Sequence, residues 1–157
     1  MGPWVHGGWS RGNGDHLGDV DFGGPTGPFY REKIEFAFFS HYLKGTAMDL
    51  PKVSTFETGV NKWKTYNTWP PKEAEEKNLY LLPGGKLSFE ASADTKDTFD
   101  EFISDPNKPV PFYDGITLDM QREYMTGDQR FAARRPDVLT YQTDVLDKDV
   151  TLAGNIW

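Results

Sequence analysis

Val53-Ser54-Thr55-Phe56-Glu57-Thr58-Gly59-Val60-Asn61-Lys62-Trp63-Lys64-Thr65-Tyr66 is the stretch that decides the fold. Residues 53 to 58 alternate with a step of two, and Gly59-Val60-Asn61 turns the chain. Trp63 to Tyr66 then reads as extended until Trp69-Pro70-Pro71 stops it. The next runs behave alike: Lys77-Asn78-Leu79-Tyr80-Leu81-Leu82, the turn Pro83-Gly84-Gly85 and Lys86-Leu87-Ser88-Phe89 predict a strand pair around a glycine turn. From 91 to 136 the sequence reads mostly as loop, with Asp105-Pro106-Asn107-Lys108-Pro109-Val110-Pro111 held extended by its prolines and a weak helical turn near Leu118 to Met125. Val138 to Thr143 and Val150 to Gly154 are expected as two closing strands, leaving Trp157 within or just beyond a strand. Short strands separated by turn signals predict a β-sandwich.

Upstream the pattern differs. Residues 1 to 28 hold nine glycines and three prolines, so no regular element runs far through them. Phe29 to Gly45 then reads as one helix, in which Tyr30, Ile34, Phe38 and Tyr42 recur at four-residue steps and Phe39 and Leu43 widen the stripe. Lys44 lies in its last turn and Gly45 stands where a left-handed cap would close it. A stripe this aromatic needs a partner larger than the loop before it.

The 157 residues carry Lys+Arg 17 against Asp+Glu 24, a formal net charge of −7. Duplex binding draws on cations that replace counterions along phosphates, so nucleic acid is not an expected partner. An anionic membrane surface is disfavoured for the same reason. Mean hydropathy is −0.64, and no apolar run approaches the roughly 18 residues of a membrane span, so a soluble chain is expected. Its start, Met1-Gly2-Pro3-Trp4-Val5-His6-Gly7-Gly8, lacks the basic-then-apolar order of an export signal. The absence of cysteine excludes disulfides, thiolate metal sites and cysteine nucleophiles together, and leaves the compartment open. An aromatic content of 15% supplies a core for one ordinary domain length.

Chemistry has few places to sit. Gly8-Trp9-Ser10-Arg11-Gly12 matches the string of a nucleophile elbow, but that device needs a buried strand before the serine and a helix after it. Glycine and proline precede it and Asn13-Gly14-Asp15 follows, so Ser10 reads as a loop residue. His6, between Trp4-Val5 and Gly7-Gly8, has the side chain best suited to move a proton near neutral pH, with glycines that let a substrate approach. Taken alone it reads more readily as a loop imidazole bonded to its own backbone, since most lone histidines are not catalytic. His41 lies toward the helix end, where a cation is favourable. His16 with Asp15, Asp19 and Asp21 lacks the spacing of a calcium loop or zinc site and reads as a solvated acidic loop, so neither metal nor cofactor is expected. Trp63, Tyr66 and Trp69 fit either a carbohydrate platform or ordinary packing.

Three strings together carry a resemblance. Gly2-Pro3-Trp4-Val5-His6-Gly7-Gly8-Trp9, Gly18-Asp19-Val20-Asp21-Phe22-Gly23 and Phe38-Phe39-Ser40-His41-Tyr42-Leu43-Lys44-Gly45 resemble the serine hydrolases of the CocE/NonD group, which are X-Pro dipeptidyl-peptidase-like. Phe56-Glu57-Thr58-Gly59-Val60-Asn61-Lys62-Trp63 with Trp69-Pro70-Pro71, and Leu79-Tyr80-Leu81 before Leu87-Ser88, look like the start of that family's jelly-roll domain. Ser104 to Pro111, Asp128-Gln129-Arg130-Phe131 and Arg135-Pro136-Asp137-Val138-Leu139-Thr140-Tyr141 look most like α-amino acid ester hydrolases and the related glutaryl acylases.

The resemblance implies a mainly β chain. Residues 1–45 would be the C-terminal end of an α/β-hydrolase domain, a catalytic-histidine loop plus one helix. Residues 46–157 would begin an incomplete jelly-roll β-sandwich. It implies a Ser-Asp-His triad whose histidine lies in a G-P-W-x-H motif that His6 matches, with serine and acid earlier in the family's chain order. Nothing precedes Met1 here, so the chain is expected to be the C-terminal portion of a larger hydrolase and to show no triad-dependent turnover alone. Ser10 follows the histidine and cannot substitute. A small-molecule acyl ester or amide is the implied substrate, homo-oligomerisation is an expectation from the family, and periplasm, secretion and cytoplasm all stay open. Two other readings stand beside it. One is a free-standing β-sandwich module binding a carbohydrate or a partner through Trp63, Tyr66 and Trp69; the other is a fragment serving only as a subunit contact. If the partner surface is absent, the Tyr30-Ile34-Phe38-Tyr42 stripe should lie uncovered.

Overall fold

The computed structural model describes residues 1–93 and 99–154. It divides into two compact units, one made of Met1–Lys72, Gln121–Gly127 and the chain end from Gly154, the other of Glu73–Met120 and Asp128–Ala153.

The first unit opens with a helical turn α1 (Gly8–Arg11) and a hairpin of β1 (His16–Leu17) and β2 (Val20–Asp21). A continuous helical rod follows: α2 (Thr26–Phe29), a π-helical segment (Tyr30–Glu35) and α3 (Phe36–Lys44). The rod contains the predicted helix and begins a turn earlier. Gly45 closes it in the left-handed region, with φ 71°, and its N–H donates to the His41 carbonyl at 2.9 Å. The π-helical segment fits the four-residue stripe. A 3.6-residue α-turn rotates a four-residue repeat steadily off one line, and a wider turn slows that rotation.

β3 (Val53–Glu57) and β4 (Lys62–Tyr66) pair antiparallel as the alternation predicts, with Phe56 opposite Trp63 and Glu57 opposite Lys62. Phe56 and Trp63 meet edge to face at 5.6 Å, and Phe22, which is buried, meets Phe56 at 5.8 Å. The backbone of Met1 runs along β3, its carbonyl accepting from Phe56 N–H at 2.9 Å and its amino group donating to the Ser54 carbonyl at 2.7 Å. Here the core of this unit forms. The helix stripe passes out of it: Tyr30, packed on Trp4, and Ile34 are half-buried, whereas Phe38 is 45% and Tyr42 64% exposed, so only the outer half of the stripe lies uncovered, not the whole of it.

The second unit holds the hairpin β5 (Tyr80–Leu82) and β6 (Lys86–Ser88), and the helical turn α4 (Arg130–Ala133), which the loop reading of 91 to 136 missed. The turn expected near 118 to 125 is a 3₁₀ turn at Arg122–Met125 and belongs to the first unit. The two closing strands do not form. Residues 138 to 143 contribute one parallel rung, Gln142 beside Lys86, with bonds of 2.9 Å from Leu87 N–H to Gln142 O and from Gln142 N–H to Gly85 O. Residues 150 to 154 form no strand. The reason is the partner edge: β6 is three residues long, and Leu139, Val150 and Leu152 stay exposed with no apolar layer to bury them. Trp157 lies outside the described residues. Among the described residues the six strands make three separate two-stranded sheets, and no helix is long and apolar enough to cross a membrane.

Candidate functional site

The loop that carries His6 is built around Trp4. Its indole meets Trp9 at 6.3 Å, Tyr30 edge to face at 5.2 Å and Trp63 at 5.9 Å, so loop, rod and hairpin converge on one ring. Its Nε1 donates to Thr26 Oγ1 at 2.7 Å, and the same buried hydroxyl donates to the Gly14 carbonyl. Gly14 has φ 64°, and a Cβ there would fall 2.6 Å from Trp4 Nε1, so a left-handed backbone and a close approach both require glycine. A half-buried indole needs a partner for its N–H, and Thr26 supplies it.

His6 itself is exposed and meets the edge of Trp9 at 6.2 Å with an interplanar angle of 79°. It borders a cleft of about 540 Å³ lined also by Ser10, Arg11, Asp15, His16 and Arg122. Arg122 reaches this cleft from far along the chain, and nothing in its sequence neighbourhood signals that. Ser10 belongs to the short turn α1, and its hydroxyl donates back to the Gly7 carbonyl at 2.9 Å. No strand leads into it, so the strained context of a nucleophile elbow is missing among the described residues.

Asp15 accepts from Asn13 Nδ2 at 3.0 Å and pairs with His16 Nδ1 at 2.8 Å. The bond from Asn13, then that from His16, hold its carboxyl below the usual carboxylate range. Asp21 accepts from Gly23 N–H at 2.7 Å. These carboxylates therefore serve neighbouring side chains and the local backbone. Among the described residues no three histidine, aspartate or glutamate side chains could hold a common metal ion. His41 Nδ1 lies 2.7 Å from the Thr46 carbonyl, which ties the helix end.

The three aromatics of the platform reading do not share a face. Trp63 and Tyr66 lie three residues apart on β4 and so point to opposite sides. Trp63 stacks on Phe29 at 5.2 Å and touches Phe56 and Trp4, while Tyr66 meets the edge of Trp69 at 6.0 Å. Trp63 is thus a packing residue.

In the second unit the strings that singled out the ester hydrolases come together. Arg135 grips Asp137 with two bonds, Nε to Oδ1 at 2.8 Å and Nη2 to Oδ2 at 2.5 Å, and also donates to the Lys108 carbonyl at 3.0 Å. Asp128 is held by Arg130, whose side chain and N–H bring the carboxyl down to about 2. Tyr141 donates to Asp100 at 2.6 Å, and that bond raises the phenol above its ordinary value.

A glycine-rich histidine loop is thus locked to a helix and a β-hairpin, and a strand-and-loop segment follows it in sequence. The chain belongs to the CocE/NonD, X-Pro peptidase-like family: residues 45–156 match the X-Pro dipeptidyl-peptidase C-terminal non-catalytic domain. It is 30% identical to the cocaine esterase of Rhodococcus sp. (strain MB1 Bresler) over 169 residues, which take in 99% of this chain and 29% of the esterase. Among solved structures, an aminopeptidase from a marine sediment Thaumarchaeota archaeon superposes with a TM-score of 0.81 at 40% identity, covering 93% of this chain and 25% of its own. An α-amino acid ester hydrolase superposes with a TM-score of 0.82 at 36% identity, covering 98% of this chain and 27% of its own. The chain thus spans between a quarter and 29% of the length of these relatives.

Proposed function

We propose that this chain is the C-terminal portion of a serine hydrolase that cleaves acyl esters or amides of the α-amino acid ester or β-lactam acyl type, and that His6 is the histidine of its triad. On this reading residues 1–45 end the α/β-hydrolase catalytic domain and residues 46–157 begin a jelly-roll domain. The observation that carries it is the housing of His6. An exposed imidazole stands on a loop anchored on either side of it, at Trp4 by Thr26 and at Trp9 by Arg31, beside a cleft of about 540 Å³. A histidine with a purely local role would not need that scaffold.

His6 then takes the proton of the serine hydroxyl as the oxygen attacks the acyl carbon, and returns it to the departing alcohol or amine. Water deprotonated by the same ring releases the acyl group. Serine and acid come from the part of the hydrolase before residue 1. Ser10 supplies neither, since its hydroxyl is turned to the Gly7 carbonyl. The substrate is a small-molecule ester or amide, and self-association of subunits accompanies the reading, to be read by analytical ultracentrifugation.

The test is acyl-ester hydrolysis by the hydrolase that includes this segment. His6→Ala should lower kcat at least about 10³-fold, as loss of a triad member does. The 157-residue chain alone should show no turnover; hydrolysis by it that disappears with His6→Ala or Ser10→Ala would overturn the proposal.

A further inference from the structure

We propose that Arg31 is a positioning residue for His6, acting through Trp9; the inference rests on the role of His6 given above. Arg31 Nη1 donates to the Trp9 carbonyl at 2.6 Å and to the Gly12 carbonyl at 3.0 Å. Both carbonyls stand at the exit of α1, where a helical turn leaves acceptors without partners. A charged donor satisfies them more strongly than a neutral one. Trp9 is in turn the ring whose edge meets His6 at 6.2 Å. The path is therefore short: guanidinium, Trp9 backbone, Trp9 indole, imidazole.

Three further features point the same way. Arg31 forms no salt bridge among the described residues, so its charge is directed at main-chain carbonyls. The rod is brought unusually close to the loop at Gly27, whose N–H donates to the Asn13 carbonyl at 2.9 Å. A Cβ on Gly27 would lie 2.7 Å from Gly12 O and 3.1 Å from Arg31 Nη1, so a side chain there would push the guanidinium off its acceptors. Finally, Tyr30 and Arg31 open the π-helical segment, a geometry found often at functional sites, and both address the loop, Tyr30 through Trp4 and Arg31 through Trp9. The widened turn has a local use: it presents two successive residues to the histidine loop.

The experiment is steady-state kinetics of the complete hydrolase carrying Arg31→Ala, Arg31→Lys, Trp9→Ala and the Arg31→Ala/Trp9→Ala pair, with folding followed by circular dichroism. A misplacement of about 1 Å costs on the order of 10²-fold in rate, so Arg31→Ala should lower kcat by about 10- to 100-fold with KM within about 3-fold. Added guanidinium ion should restore part of the loss, and Arg31→Lys should retain more activity than Arg31→Ala. Trp9→Ala keeps the Arg31 bonds but removes the ring; it should lower kcat similarly, and the pair should lose little beyond either single change. Unchanged kcat in Arg31→Ala, or a loss that follows unfolding and does not respond to guanidinium, overturns the proposal. If Arg31→Ala does not fold, additive losses in the Arg31→Lys/Trp9→Ala pair do so instead. Full activity in His6→Ala would overturn the underlying triad reading, which the same assay reports separately.

Discussion

The unit that carries His6 and the unit that follows it use the same residue types and hold themselves together in different ways. In the first, aromatic rings from the loop, rod and hairpin interlock: Trp4 meets Tyr30 and Trp63, and Phe29 meets Trp63, across distant parts of the sequence, with Trp9 and Phe56 packed on the same rings. In the second, the bonds are mostly two residues apart, as in the exposed pair Asp128 with Arg130 and the part-buried pair Arg135 with Asp137. Half-buried aromatic rings that pack on one another hold distant segments together, whereas exposed ion pairs are screened and contribute little.

That contrast can be broken by experiment. Trp4→Ala should have the largest effect, about 3 kcal/mol off the unfolding free energy, because three ring contacts and the bond to Thr26 vanish together. Every described tryptophan belongs to the first unit, so denaturant unfolding followed by fluorescence reads it. Gly14→Ala comes next, at about 2 kcal/mol, since the new methyl meets both a left-handed backbone and the Trp4 nitrogen. Thr26→Val should cost about 1 kcal/mol or somewhat more by leaving the Trp4 N–H and the Gly14 carbonyl without partners, and the same titration would show it. A Thr26→Val protein as stable as the parent would show that the loop does not depend on this hydroxyl.

The smallest effect belongs to the second unit. The carboxyl of Asp128 falls from 3.8 to about 2 because Arg130 bonds its charged form. A lowered folded value contributes stability above pH 3.8 that is lost as pH falls toward 2, so acid destabilises, but only slightly for a pair this exposed. Carboxylate NMR titration should find Asp128 near 2 and its Arg130→Ala counterpart back toward 3.8. An unfolding transition that moves strongly between those values would show the exposed pairs to matter more than the comparison allows.

Much of this was legible beforehand. The hairpin of residues 53 to 66, the glycine-turned pair near 80 to 88, the rod and its Gly45 cap all follow from local periodicity and turn chemistry. The strands expected at 138 to 143 and 150 to 154 had the right alternation but found no edge long enough to pair with. Trp63 could be read as platform or core from its spacing alone, and only the rings of Trp4, Phe29 and Phe56 around it decided for packing. Arg31 carried no local signal, because what gives it meaning is the pair of carbonyls it meets some twenty residues earlier.

The sequence by itself determined the elements whose information is local: a two-residue period for the hairpins, an apolar stripe for the rod and glycines for the turns. Tertiary structure alone decided which rings close on Trp4, that Thr26 and Gly14 complete its bonding, that Arg31 reaches the loop and that Arg122 lines the cleft. The physical reason is that periodicity and capping act within a few residues. Close packing and the satisfaction of buried polar groups depend instead on partners that the chain brings together only when it folds.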